Sequence, residues 1–291
     1  MKIILFSRSQ SESHIGDIVS IFDAIARYGF EYMVNEEFAA SIERLVGRSI
    51  PHSLRYGSSV GHQGSEAVMV CYGGDGTLLE GVHRLEGETI PVVGINSGRL
   101  GFLALAGREQ IDAVFEQIAC NNLQIEERQM LCVEGVLDGE RRELHALNEI
   151  AVQRLGASMI SVDVAVDGKP TLVCYGDGVV VSTPTGSTAY SLSAGGPIVA
   201  PSCRCMVITP LSPHNLTIRP LVVADSSVVS LVIHTRSNEA SLSIDNRTYK
   251  VSDGMEVEVK LSKRAISLAV PHNISFYDTL RNKMMWGVDL R

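Results

Sequence analysis

Six consecutive residues, Tyr72-Gly73-Gly74-Asp75-Gly76-Thr77, set one carboxylate among glycines directly after a short apolar run, Ala67-Val68-Met69-Val70-Cys71. Glycines let a backbone come close to a phosphate, and the first turn of a helix offers N–H donors that lack intrahelical partners. Asp75 beside that phosphate would act as a base or a metal ligand. The residues that follow, Leu78, Leu79, Val82 and Leu85, recur at helical spacing. The segment therefore reads as strand, Gly-rich turn and helix. Two readings stand on these residues alone: a phosphate site, or a tight turn in which Asp75 caps the helix. Their order after a strand favours phosphate chemistry.

A second island spans residues 176–200. Asp177 lies between Gly176 and Gly178, ahead of the apolar strand Val179-Val180-Val181. Ser182 to Ser193 is a run of small and hydroxyl residues interrupted by Tyr190. A flexible linker has little use for apolar flanks or for the enclosed Ala189-Tyr190. Glycines for close approach, hydroxyls for polar edges and one aromatic ring for a base or ribose are what a nucleotide pocket needs. Asn148-Glu149 stands just ahead of Ile150-Ala151-Val152. By itself that pair reads as a surface turn between strands.

The elements that must position these residues follow from periodicity. Lys2–Ser7 predicts a strand, Asp17–Tyr28 a helix stopped at Gly29, Glu31–Asn35 a strand and Glu36–Val46 a helix stopped at Gly47. Residues 48–65 read as a loop. After the Gly-rich turn and its helix come a strand at Ile90–Ile95 and a helix at Glu109–Ala119. Such alternation implies a parallel sheet covered by helices, a Rossmann-like N-terminal α/β domain. From Gln129 to Val270 the pattern changes to alternating runs such as Ser161–Val166, Val228–His234 and Met255–Leu261. Asp138-Gly139, Asp167-Gly168 and Asp253-Gly254 each suit type I′ turns between strands. This predicts an all-β C-terminal domain. Asp278–Trp286 reads as a helix returning to the first domain. The expected domains are 1–126 with the tail 272–291, and 127–271. The loop after the first strand, Ser7 to His14, contains no glycine, so a dehydrogenase-type dinucleotide turn is absent there.

The chain has 291 residues and a net charge of −8, which does not suggest nucleic-acid or anionic-membrane binding. No apolar run approaches the roughly 20 residues of a membrane span. The six cysteines show no CxxC pair and the histidines no metal-ligand spacing, so no metal-ligating set is expected. Scattered cysteines without a secretion signal suggest reduced thiols and a cytoplasmic location.

Four motifs together resemble the NAD kinase family: GGDGT at 73–77, Gly94-Ile95-Asn96-Ser97-Gly98-Arg99-Leu100-Gly101-Phe102-Leu103, Asn148-Glu149, and GDGVVVSTPTGSTAYSLSAGGPIV at 176–199. The resemblance covers roughly residues 67–275. It implies phosphorylation of the 2′-hydroxyl of the adenosine ribose of NAD to make NADP, with ATP or polyphosphate as donor and Mg²⁺ or another divalent cation accompanying it. It implies that Asp75 is the catalytic carboxylate and that Gly73, Gly74, Gly76 and Thr77 form the phosphate-facing turn. Asn148, Glu149, Asp177, Thr188, Ala189, Tyr190, Ser191, Leu192, Ser193 and Arg247 would bind NAD, with Asn96 and Gly98 as site architecture. A homodimer or homotetramer is implied as well. Three positions depart from the family pattern: Glu80, Tyr175 and Asp245-Asn246-Arg247. A lipid or sphingoid-base kinase shares GGDGT, and many carry a glutamate where Glu80 stands, but that family lacks the STPTGSTAY island. A non-catalytic NAD sensor on the same scaffold is the third reading, against which the retained Asp75 speaks.

Overall fold

The computed structural model describes residues 1–64, 66–98, 101–137, 140–236, 239–272 and 274–287. In chain order the elements are β1 (Lys2–Phe6), α1 (Ile15–Tyr28), β2 (Glu31–Asn35), α2 (Glu36–Val46), β3 (Arg55–Tyr56), β4 (Ala67–Tyr72), α3 (Asp75–Arg84), β5 (Val92–Asn96), β6 (Ala106–Gly107) and α4 (Ile111–Ala119). There follow β7 (Gln124–Leu137), β8 (Glu140–Ala146), β9 (Glu149–Arg154), β10 (Ile160–Val166), β11 (Lys169–Gly176), β12 (Gly178–Ser182) and α5 (Tyr190–Ser193). The last are β13 (Cys205–Leu211), β14 (Leu221–Ala224), β15 (Val229–Thr235), β16 (Ala240–Ile244), β17 (Arg247–Val251), β18 (Glu256–Val270) and α6 (Phe276–Met284). Two compact units divide this chain, one of Met1–Glu127 with Ile266–Arg291, the other of Arg128–Ala265.

The first unit is built on a parallel sheet in the order β3-β2-β1-β4-β5, and the end of β18 pairs parallel to β5 through Leu268↔Val92 and Ala269↔Val93. Its central strands are apolar at nearly every position because helices cover both faces. Leu5, Val70 and Tyr72 face one core with Ile18, Ile21, Phe22 and Ile25 of α1, Phe38 of α2 and Phe115 of α4. On the other face α3 comes so close that a Cβ at Gly81 would press on Cys71, Met69 and Phe6. The two-residue β3 lies in a stretch expected to be loop. It extends the sheet edge through Val34↔Arg55, a pairing too short to leave any periodicity in sequence. The tail forms α6, where Ser275 accepts from the Asp278 N–H and starts the helix two residues before Asp278.

The second unit is a β-sandwich. One sheet runs β14-β13-β12-β9-β16-β17, all antiparallel, and the other runs β11-β10-β15-β18 with β7 and β8 beyond β18. Alternate residues face inward: Ile150, Val152, Val179, Val181, Met206 and Ile208 from the first sheet meet Val133, Val162, Leu231, Ile233 and Val257 from the second. Asp167-Gly168 forms the expected type I′ turn, with φ of 52° and 72°. Asp253-Gly254 does not, since only Gly254 has a positive φ, 73°. The strands on its two sides pair with different partners, and Asp253 instead accepts the Thr235 N–H at 2.7 Å. Asp138-Gly139 lies outside the described residues. Among the described residues, no helix is long and apolar enough to cross a membrane.

Candidate functional site

In the first unit the Gly-rich turn joins β4 to α3. The Gly73 N–H donates to the Ile95 carbonyl at 2.9 Å, and the Gly74 carbonyl accepts from Thr77 and Leu78, so Asp75 becomes the first residue of the helix. Its carboxylate does not cap that helix, which removes the capping reading. Oδ2 accepts the Phe102 N–H at 2.8 Å, and Oδ1 accepts those of Leu103 and Ala104 at 3.0 and 2.9 Å. Gly101 permits this wrap, because a Cβ there would overlap the Asp75 carboxylate. The second motif thus exists, in part, to hold the acid of the first. Asn96 is buried and accepts the Gly98 N–H at 2.8 Å, which shapes the turn between them. Arg99 and Leu100 lie outside the described residues.

Two cations flank this turn, and neither carries a local sequence signal. Lys283 of α6 places Nζ 3.6 Å from Asp75 Oδ2 and 4.7 Å from the Phe102 ring centroid. Arg8, in the loop after β1, donates to the Gly76 carbonyl at 3.2 Å and to Glu80 at 2.9 Å. Glu80 also accepts from Arg84 at 3.0 Å. Burial disfavours the Glu80 charge, yet these hydrogen bonds outweigh it and hold the carboxyl below its usual value. The departure at 80 is therefore the anchor for Arg8.

In the second unit a different carboxylate does for Asn148-Glu149 what Asp75 does for residues 102–104. Asp245 accepts from Leu147 at 2.8 Å, Asn148 at 2.8 Å and Glu149 at 3.2 Å, from a hairpin turn where its own φ is 50°. The Thr183 hydroxyl donates to the Leu147 carbonyl at 2.7 Å and accepts the Gly186 N–H at 2.9 Å. Gly186 sits so close to the Asn148 carbonyl that a Cβ would overlap it. The small residues of the 182–193 run thereby let that segment lie directly on Asn148-Glu149.

Glu149 Oε2 is buried without a hydrogen-bond partner. Burial, then the Asp245 charge, push its carboxyl up to about 8, against the opposing Tyr190 N–H. Tyr190 is 37% exposed, and burial followed by the charges of Asp177 and Glu149 raises its hydroxyl. Asp177 is hydrogen-bonded by Arg154, which holds it below its usual value against burial, with help from Ser212 and His214. Glu149, Asp177 and Tyr190 therefore share one electrostatic neighbourhood, and Arg154 and His214 belong to it though sequence reasoning missed them.

Other expected residues act inside the protein. Ser191 is buried with Oγ 2.8 Å from Thr209 Oγ1, Thr188 donates to the Thr185 carbonyl at 3.2 Å, and the Ala189 N–H donates to the Gly186 carbonyl at 2.9 Å. Leu192 is half-buried and Ser193 exposed. Arg247 donates to the His145 carbonyl at 3.0 Å, and its Nε is buried without a partner.

The first unit thus carries an anchored carboxylate at its Gly-rich turn, and the second carries Glu149, with one buried oxygen unpartnered, in the neighbourhood of Tyr190. The chain matches the ATP-NAD kinase N-terminal domain over residues 31–122 and the ATP-NAD kinase C-terminal domain over residues 147–270. It is 34% identical to an NAD kinase of Bacteroides fragilis over 296 residues and 36% identical to one of Cytophaga hutchinsonii over 296 residues, each alignment covering all of both chains. Among solved structures it resembles yeast NADH kinase complexed with NADH, at a TM-score of 0.87 and 24% identity over 100% of this chain and 89% of that one. It also resembles an NAD kinase from Archaeoglobus fulgidus in complex with ATP, at a TM-score of 0.74 and 24% identity over 98% and 99% of the two chains. The chain belongs to the NAD kinase family. Nothing favours the lipid-kinase or sensor readings.

Proposed function

We propose that this chain transfers the terminal phosphoryl group of ATP to the 2′-hydroxyl of the adenosine ribose of NAD, forming NADP. The observation that carries the proposal is a match to both ATP-NAD kinase domains in a chain whose Asp75 carboxylate is locked in place at the Gly-rich turn. The NADH- and ATP-bound structures of the same fold support these two ligand classes.

Asp75 Oδ1 is occupied by two N–H groups, whereas Oδ2 takes one and keeps acceptor capacity, in a side chain 27% exposed. That oxygen would orient or deprotonate the ribose hydroxyl. Gly73, Gly74, Gly76 and Thr77 would bring the first turn of α3 to the donor's phosphates, and Lys283 would add positive charge beside the group in transfer. Mg²⁺ or another divalent cation enters with the donor as part of that substrate. The unpartnered Glu149 Oε2 would accept a ribose hydroxyl, with Asn148 and Asp177 supplying further polar contacts and Tyr190 packing on the nucleoside. Thr188, Ala189, Ser191, Leu192, Ser193 and Arg247 would shape that pocket. Six unpaired cysteines support a cytoplasmic setting, and the family resemblance supports a homodimer or homotetramer.

The test is NADP formation from NAD and ATP with Mg²⁺, in the wild type and in Asp75→Asn. A general base contributes about 10²–10⁴-fold in rate. Turnover should fall on that order while NAD affinity persists. Near-wild-type turnover in folded Asp75→Asn would remove Asp75 from catalysis, and no NADP from wild type with any phosphoryl donor would overturn the proposal itself.

A further inference from the structure

Strands β7 and β8 form an antiparallel hairpin whose register sets Cys132 opposite His145 and Glu134 opposite Glu143. Opposed residues share a face of the sheet, so these four side chains stand together. Donor atoms of Cys132, Glu143 and His145 all lie within 4.8 Å of one another. His145 Nδ1 is 2.9 Å from the hydroxyl of Ser262 on β18, which turns Nε2 toward Glu143, 3.3 Å from Oε1.

We propose that Cys132, Glu143 and His145 bind a divalent transition-metal ion of the zinc class, with a fourth position left to water. Ligand nitrogens and oxygens about 2.0–2.1 Å from a tetrahedral ion lie roughly 3.3 Å apart, which is the His145–Glu143 separation seen here. The sulfur must close to about 3.6 Å from the other two donors on the same geometry. Rotation of Glu143, 59% exposed on its side chain, can shorten its own distance to the sulfur, and rotation of Cys132 about χ1 brings the sulfur toward His145. Ser262 supplies the outer hydrogen bond that fixes an imidazole ligand's tautomer and orientation. Glu134 does not compete, because Lys260 and Arg141 already pair with it. A thiol and an imidazole select against Mg²⁺ and Ca²⁺, which prefer all-oxygen sets.

Burial, then the Glu143 and Glu134 charges, keep the Cys132 thiol protonated up to about 11. Binding therefore exchanges the thiol proton for the ion: the S–H bond breaks, a metal–thiolate bond forms and one proton leaves to buffer. None of the three ligand side chains has a part in the proposed reaction; Arg247 meets His145 at its main-chain carbonyl and not at its imidazole.

The experiment uses the full chain, stripped with a chelator and titrated with Co²⁺ alone, then with Zn²⁺, in the absence of nucleotide. Saturable uptake of one Co²⁺ per chain is expected, with a near-ultraviolet thiolate-to-cobalt band that Zn²⁺ abolishes by displacement. Cys132→Ser should lose that band. Glu143→Gln, a change at an exposed position that leaves the fold intact, should weaken Co²⁺ binding by about tenfold or more, and Ser262→Ala by about 10–100-fold. No saturable uptake would show that the three side chains serve only one another as hydrogen-bond partners, and overturn the proposal. A band that survives Cys132→Ser, or an affinity unmoved by Glu143→Gln, would overturn it equally.

Discussion

Replacing Glu149 with glutamine should make the protein more stable, and by an amount that grows with pH. In the folded chain the carboxyl titrates at about 8, whereas an unburied glutamate titrates at 4.5. Below pH 4.5 both states hold the proton and its contribution to stability is complete. Between those values the unfolded chain releases the proton while the folded chain keeps it, so folding is progressively disfavoured. Above the folded value the loss is complete. The interval corresponds to about 5 kcal/mol in full and to about 2 kcal/mol between pH 6 and pH 8. Glutamine has nearly the same shape and does not titrate. The difference in urea unfolding free energy between Glu149→Gln and wild type thus isolates this group from every other carboxylate. It should be about 2 kcal/mol larger at pH 8 than at pH 6. The same variant should bind NAD more weakly if ribose hydroxyls donate to the charged carboxylate, and wild-type binding near neutral pH should release a proton detectable by calorimetry in buffers of different ionisation enthalpy. A stability difference that stays constant from pH 6 to pH 8 would refute the burial of the unpartnered Glu149 Oε2 on which the reasoning depends.

Asp245→Asn should destabilise the chain by about 2–3 kcal/mol in chemical unfolding, because three backbone N–H groups lose a charged acceptor, and it should bring the Glu149 titration below about 8. Gly186→Ala should cost about 1–3 kcal/mol through its overlap with the Asn148 carbonyl, and raise the NAD dissociation constant more than it lowers turnover of the bound complex. Lys283→Met keeps a stem over Phe102 and removes the charge 3.6 Å from Asp75, so melting should shift little, as expected of a pair worth about 1 kcal/mol or less, while turnover with ATP falls.

Much of this protein is legible from residue types in order. Helix-period runs ending at Gly29 and Gly47, then period-two runs from Gln129 onward, were enough for a parallel α/β unit followed by a β unit, since side-chain periodicity directly reports which face must be buried. The GGDGT turn and the STPTGSTAY segment marked the site because glycines and hydroxyls at such density answer a local steric need. What the sequence could not disclose is how those segments are held. Asp75 reaches the backbone of residues 102–104, Asp245 reaches that of 147–149, and Lys283 arrives from the last helix. The first two join segments far apart in sequence through main-chain N–H donors, which every residue type but proline carries alike, and the third brings a side chain from the far end of the chain, so no local pattern announces any of them. The same holds for Arg154 on Asp177 and for Cys132 beside His145, where strand register alone makes neighbours. Residue chemistry by itself determined which groups are present and which turns they can form. Tertiary structure decided which carboxylate is anchored, which is stripped of water and which cation it meets, because burial and charge separation are properties of the packed chain.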